Sequence, residues 1–194
     1  MLIIGITGPA GAGKSTLAGI LYDLCRQAGL PAHRDAFAWD IKLIARDAFG
    51  WDQKKDEPGR RLLQAIGTEA GRAYDPDIWI RRLDRRLRHP GPPIDITIIE
   101  DVRFTNEAEW IRSSGGSVWR VTGRAAALGA SAAHASEAGI PDDHIDIEVD
   151  NSGDVAALEA QALRWLPEAW ARAAVLRTWG PILDTDRLVV EVTT

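Results

Sequence analysis

Apolar residues recur with two different periods along this chain of 194 residues. Unbroken or alternating apolar runs at Leu2 to Thr7, Pro31 to Ala36 (with Asp35 near its end), Ile94 to Ile99, Ser117 to Thr122 and Ile145 to Val149 predict five short strands. Between them the spacing changes to that of a helix. Leu17, Ile20, Leu21 and Leu24 fall at i, i+3, i+4 and i+7, which predicts a helix over Lys14 to Gly29 with one apolar stripe. Phe37, Ile41, Ile44, Ala45 and Ala48 suit a helix over Phe37 to Phe49, and Leu62, Leu63, Ile66 and Ala70 one over Arg60 to Tyr74. Gly50 to Gly59, with turn residues at both ends and mixed charge between, reads as a loop.

Asp75 as cap and Pro76 in the first position predict a further helix to about His89, with Ile78, Ile80, Leu83 and Leu87 inward. Its other positions carry Arg81, Arg82, Arg85, Arg86 and Arg88, which suit either a solvated face or the steering of an anionic nucleotide. Thr105 or Asn106 caps a short helix to about Ser113. A last long helix follows Asp154, with Val155, Leu158, Ala162, Leu163 and Leu166 inward and an interruption at Pro167. Arg124 to Pro141 is polar and Ala-rich, and Arg187 to Val192 reads as one extra strand. Strand and helix alternate throughout, so the expected architecture is α/β: a mostly parallel five-stranded sheet between two layers of helices. Such a sheet binds ligands at the carboxyl edge of its strands.

Composition narrows the classes. The 45% hydrophobic content is enough for one real core, and a net charge of −5 argues against a nucleic-acid polymer as partner. Cys25 is the only cysteine, so no intrachain disulfide is expected, and its place beside Leu24 suits a packing thiol. The start of the chain lacks a basic segment ahead of a long apolar run. Neither a signal peptide nor a membrane span is expected, and the chain reads as cytoplasmic.

The sharpest chemical signal follows the first strand. Gly8-Pro9-Ala10-Gly11-Ala12-Gly13-Lys14-Ser15-Thr16 fits the pattern G-x-x-x-x-G-K-[ST] between a strand and an amphipathic helix. Glycines let successive backbone N–H groups converge on phosphate oxygens, with the positive helix end aimed at the same anion. Gly8, Gly11, Ala12, Gly13, Lys14, Ser15 and Thr16 are therefore the expected ATP-binding residues. Lys14 would reach the β- and γ-phosphates and Ser15 would ligate Mg²⁺, within a three-layer P-loop NTPase fold. An acceptor for the phosphoryl group calls for Arg and Lys side chains on the same edge. Arg60-Arg61 offers two guanidinium groups, and Gln64, one turn on, an amide able to read a base edge.

With the glycine loop and the pair Ile41-Lys42, three later blocks form an ordered set: Arg60 to Thr68 with Trp79 beyond it, Asp101 to Ala108, and His134 to Gly139. This set resembles the deoxynucleoside monophosphate kinases of bacteriophages, relatives of adenylate and guanylate kinases, over about residues 2 to 165. The resemblance implies ATP- and Mg²⁺-dependent transfer of the γ-phosphate to a deoxynucleoside 5′-monophosphate by a single domain over 1–194. Residues 37–89 would supply monophosphate-binding helices, 124–141 a lid-like segment and 176–194 a C-terminal extension. It also implies that Lys42 and Arg60 hold the acceptor phosphate, that Gln64 and the Gly67-Thr68 backbone meet base or sugar, and that Trp79 forms an aromatic wall. Asp101, Arg103 and Glu107 would sit beside sugar and phosphates, and Arg124 or Arg120 would reach over the transferring group. The catalytic set would be Lys14, Arg60, Asp101, Arg103 and Arg124.

Each assignment has a plainer rival. Asp101 could orient Mg²⁺ or cap a turn, Trp79 could be core, Gln64 a satisfied polar side chain, and His134 a solvated one. A P-loop kinase for another small acceptor, or a nucleotide-gated regulatory module, competes with the whole reading, although no Asn-Lys-x-Asp guanine reader is present. The acting form would be a monomer or homodimer.

Overall fold

The computed structural model describes residues 1–54, 56–89, 91–123 and 139–179. Five strands form one sheet: β1 (Leu2–Thr7), β2 (Ala32–Asp35), β3 (Ile96–Ile99), β4 (Ser117–Thr122) and β5 (Ile147–Asp150). Their order is β2-β3-β1-β4-β5, and every neighbouring pair is parallel. All carboxyl ends therefore share one edge. The chain leaves β1 toward the β2 side and leaves β4 toward β5, which opens the crevice of the sheet between β1 and β4.

Alternation along β1 builds both faces. Leu2, Ile4 and Ile6 join a core with Leu17 and Leu21 of α1 (Lys14–Gln27) and Leu158 and Ala162 of α6 (Val155–Trp179). Ile3 points the other way, into a second core with Trp79 and Leu83 of α4 (Ile78–Leu87) and Ala108 and Ile111 of α5 (Thr105–Ser113). Gly5 lies on this second face, where a Cβ would overlap Ile111 Cδ1 and press on Val102. Its missing side chain is what lets α5 close on the central strand. The three-layer expectation holds, as do all five strands.

Several boundaries differ from the sequence reading. The expected 50–59 loop ends early, because α3 (Glu57–Gln64) starts inside it. The Asp56 carboxylate accepts the Gly59 N–H at 2.9 Å, and Pro58 sits in the first turn, where a missing N–H costs nothing. The helix expected from Arg60 to Tyr74 changes pitch, and Ala65–Arg72 is π-helical. Asp75 accepts the Asp77 N–H at 3.1 Å, so it shapes the turn before α4 instead of capping the helix itself. Phe104 stands at the cap position of α5 in place of Thr105 or Asn106, and Glu107 reaches back to its N–H. Finally, α6 runs through Pro167, with Leu158, Ala162 and Ala169 as its buried stripe and Val155 and Leu163 exposed. The expected strand over Arg187 to Val192 lies outside the described residues.

Candidate active site

The turn after β1 is built as the glycine pattern requires. Gly8, Gly11 and Gly13 have φ of 137°, 77° and 103°, values open to glycine and strained for other residues. Gly8 also runs against β4, where a Cβ would stand 2.5 Å from the Val121 carbonyl oxygen. The loop therefore lies in the crevice between β1 and β4. Lys14 bends back over it, its Nζ donating to the carbonyls of Gly8 at 2.7 Å and Pro9 at 2.8 Å. Ser15 and Thr16 open the helix and are exposed; Ala12 is buried. This backbone cradle with an ammonium at its mouth fits a chain of phosphates. No group of three or more His, Cys, Asp or Glu side chains among the described residues could hold a metal by itself. The Ser15 hydroxyl, exposed at the start of α1, is an oxygen donor of the type Mg²⁺ takes beside water and phosphate oxygens.

The segment after β3 lies directly alongside. The Val102 N–H donates to the Ile6 carbonyl at 3.1 Å, so Asp101 and Arg103 flank a residue tied to the strand that feeds the glycine loop. Asp101 does not point an open carboxylate into the cleft. Its two oxygens accept the N–H groups of Phe37 at 2.8 Å and Ala38 at 3.0 Å, at the start of α2 (Trp39–Phe49). Burial pushes its carboxyl above the usual range, against the two amides and the charges of Lys42 and Arg103. The plainer reading, a cap, is what these two hydrogen bonds describe, with one N–H accepted by each Asp101 oxygen.

Glu107 is likewise committed. It accepts the N–H groups of Arg103 at 2.8 Å and Phe104 at 3.1 Å and pairs with Arg72, whose guanidinium lies 3.8 Å over the Phe104 ring. Burial pushes the Glu107 carboxyl up to about 7; Arg72 and the two amides oppose that shift, and the Asp101 charge adds to it. Glu107 is buried, so it backs the site instead of lining it. Lys42, Asp101, Arg103 and Glu107 are thereby brought together.

The remaining residues sit on the adjoining helices. Arg60 is exposed on α3, Gln64 is half-buried at its end, and Thr68 is half-buried in the π-helical segment. Gly67 is buried where a Cβ would stand 2.9 Å from Ile41 Cδ1, next to Lys42. Trp79 is a correction to the sequence reading. It is 2% exposed, its Nε1 donates to the Gly67 carbonyl at 2.8 Å, and it packs on Gly71, so its ring offers no wall to a base. Arg120 is held by the Ile140 carbonyl at 2.5 Å, Asp142 at 2.6 Å and Glu148 at 3.2 Å. Arg124, His134 and the rest of the lid-like segment as far as residue 138 lie outside the described residues.

Sequence reasoning missed three features. Two of the α4 arginines are taken up by carboxylates: Arg86 binds Asp35 at 2.9 Å and also pairs with Asp40, and Arg82 pairs with Asp40 at 3.0 Å. Asp35 at a strand end and Asp40 in the first turn of a helix were the available signals. The second is Arg72. The third is Asn151, just past β5, whose Nδ2 donates to the Ala12 carbonyl at 2.7 Å.

Comparison with known proteins bears on the acceptor side in particular. A family model described as deoxynucleotide monophosphate kinase matches residues 47–162, more than half of the chain. The deoxynucleoside-5′-monophosphate kinase of Escherichia phage T5 is 33% identical over 101 residues, covering 49% of this chain and 40% of that protein. The chain thus aligns with less than half the length of this relative. Among solved structures, an APS kinase of Mycobacterium tuberculosis superposes with a TM-score of 0.43 at 8% identity, over 86% of this chain and 96% of that one.

Proposed function

The chain belongs to the deoxynucleotide monophosphate kinase family, and on that premise we propose that it transfers the γ-phosphoryl group of ATP, with Mg²⁺, to a deoxynucleoside 5′-monophosphate, giving the diphosphate and ADP. One observation carries the reading. Two neighbouring strands of a parallel sheet end in a phosphate-cradling loop and in a segment that gathers Lys42 and Arg103, and the Val102 to Ile6 hydrogen bond locks the two ends side by side. The family match begins after the glycine loop, so the donor and acceptor halves of the argument rest on separate observations.

Phosphoryl transfer needs placement and neutralised charge more than covalent help. In this reading Lys14 would hold the β- and γ-phosphates, and the Ser15 hydroxyl would hold Mg²⁺, which would supply charge to offset that of the phosphates. Lys42 and Arg60 grip the acceptor phosphate, with Arg103 beside it, while Gln64 and the Gly67-Thr68 backbone meet the base and sugar. Arg120 is taken up by β5 and the chain before it, which leaves Arg124 as the lid arginine. The two carboxylates place cations: Asp101 anchors the Ala38 N–H, and the Ala38 carbonyl accepts the Lys42 N–H at 3.0 Å, while Glu107 holds the Arg103 amide. The reading takes the protein to act in the cytoplasm as a monomer or homodimer, without nucleic-acid polymer or membrane. No helix among the described residues is long and apolar enough to cross a membrane.

The test is ADP release by the full chain with ATP, Mg²⁺ and a panel of deoxynucleoside monophosphates, with non-nucleotide phosphate acceptors alongside. Turnover is expected with one or more of the monophosphates and at background level otherwise. A panel in which no monophosphate stimulates ADP release overturns the reading.

A further inference from the structure

Asn151 is 139 residues from Ala12 in sequence, yet its side chain hydrogen-bonds the glycine loop. Asn151 follows β5, is 7% exposed, and donates from Nδ2 to the Ala12 carbonyl at 2.7 Å. Its own N–H donates to the Thr122 carbonyl at 3.0 Å. The turn holding it is tied twice more. Gln161 of α6 accepts the Asp150 N–H at 2.9 Å and donates to the Asp150 carbonyl at 2.7 Å, and the Asp150 carboxylate accepts the Ser152 N–H at 2.9 Å and the Ser152 hydroxyl at 2.7 Å. Asn151 is thus presented to the loop by a turn fixed in advance.

A trans peptide is flat, and its C=O and N–H point in opposite directions. Holding the Ala12 carbonyl toward Asn151 therefore turns the N–H of Gly13 the other way, toward the concave side of the loop, where a phosphate is received. Gly13 itself cannot enforce that choice. At φ 103° it has the freedom that glycine alone enjoys, so the Ala12-Gly13 peptide can turn over without a side chain to stop it. The fit is close enough that a Cβ on Gly13 would collide with Asn151 Nδ2.

We propose that Asn151 is a positioning residue for triphosphate binding, which fixes the Ala12-Gly13 peptide so that the Gly13 N–H faces the phosphates. The proposal rests on the reading of the glycine loop as the ATP site. It predicts an effect confined to one of the two substrates, which a general packing role would not produce.

Binding of a non-hydrolysable ATP analogue and of a deoxynucleoside monophosphate is measured by calorimetry for the unaltered protein, Asn151→Ala, Asn151→Asp and Gln161→Ala, with Tm for each. Asn151→Ala removes the donor and leaves the Ala12 carbonyl without it; analogue affinity is expected to fall about tenfold. Asn151→Asp sets a carboxylate against that carbonyl and is expected to fall further. Gln161→Ala keeps Asn151 but unties its turn, and a smaller loss is expected. Monophosphate affinity is expected to stay within about twofold throughout. Analogue affinity unchanged in both Asn151 variants overturns the proposal alone, as does equal weakening of both ligands together with a fall in Tm. Failure of the unaltered protein to bind the analogue overturns the kinase reading and this proposal with it. If an Asn151 variant does not fold, Gln161→Ala decides: selective loss of the analogue supports the proposal, and unchanged affinity overturns it.

Discussion

The two sides of the site are made in opposite ways. The proposed donor side is a contiguous run of nine residues, Gly8 to Thr16, which offers backbone amides and one lysine and whose shape follows from three glycines at positive φ. The proposed acceptor side draws on α2, α3, the π-helical segment and the turn after β3, where the carboxylates of Asp101 and Glu107 hold backbone amides beside Lys42 and Arg103. A loop of the first kind carries its geometry within itself. An assembly of the second kind depends on ion pairs between residues far apart in sequence, so a change behind the site, with no contact to substrate, reaches function through placement.

Substitutions can break this contrast, or sharpen it. Lys14→Ala should have the largest effect, lowering kcat on the order of 10²- to 10³-fold with Tm nearly unchanged, because a charge on the transferring group goes unmet. Steady-state kinetics with melting curves check this, and near-normal turnover would remove Lys14 from the mechanism. Asp101→Ala should come next. Losing the acceptor for the Phe37 and Ala38 amides should cost about 1–2 kcal/mol of stability and raise KM for the monophosphate about tenfold, with KM for ATP little changed. A rise in both KM values would dissolve the distinction between the two sides.

Glu107→Gln probes the same idea through pH. The native carboxyl titrates near 7, against an ordinary value of 4.5, so the folded protein binds that proton more tightly than the unfolded chain does. Its contribution to stability is fullest below pH 4.5, falls as pH climbs from 4.5 to 7, and is level above that. Asp101, also shifted upward, adds a slope of the same sign. Relative to the unaltered protein, Glu107→Gln should therefore gain in Tm between pH 5 and pH 8; a parallel pair of Tm curves would contradict the assignment. The smallest functional effect is expected from Trp79→Phe. It leaves the Gly67 carbonyl without its indole donor and should cost about 1–2 kcal/mol while both KM values stay within about twofold. A selective rise in the monophosphate KM at unchanged Tm would restore the aromatic wall.

The same contrast explains what could be read before the structure. All five strands and α1 were legible because their apolar periods are local and strong, and the glycine loop because its pattern is contiguous. The start of α3 was hidden by Gly50 to Gly59, whose polar composition resembles a loop although Asp56 and Pro58 form a sound helix start. Pro167 looked like an end, yet the buried stripe of Leu158, Ala162 and Ala169 holds α6 in place on both sides of it. The residues proposed for the acceptor were legible by type and not by partner. Lys42, Asp101, Arg103 and Glu107 do converge, but a one-dimensional pattern does not show that the carboxylates are turned away toward backbone amides and Arg72. Nor does it pair Arg86 with Asp35 and Asp40. Residue types were visible there, and partners were not.

The hydrogen bond from the Val102 N–H to the Ile6 carbonyl has a consequence for selectivity. It ties the segment that carries Asp101 and Arg103 to the end of the strand that feeds the glycine loop, so these two stretches of main chain keep the spacing of adjacent parallel strands, about 4.8 Å, beyond the end of β3. In the proposed reading, choice among nucleobases then falls to Gln64 and the Gly67-Thr68 backbone on the helices, which this backbone tie does not hold.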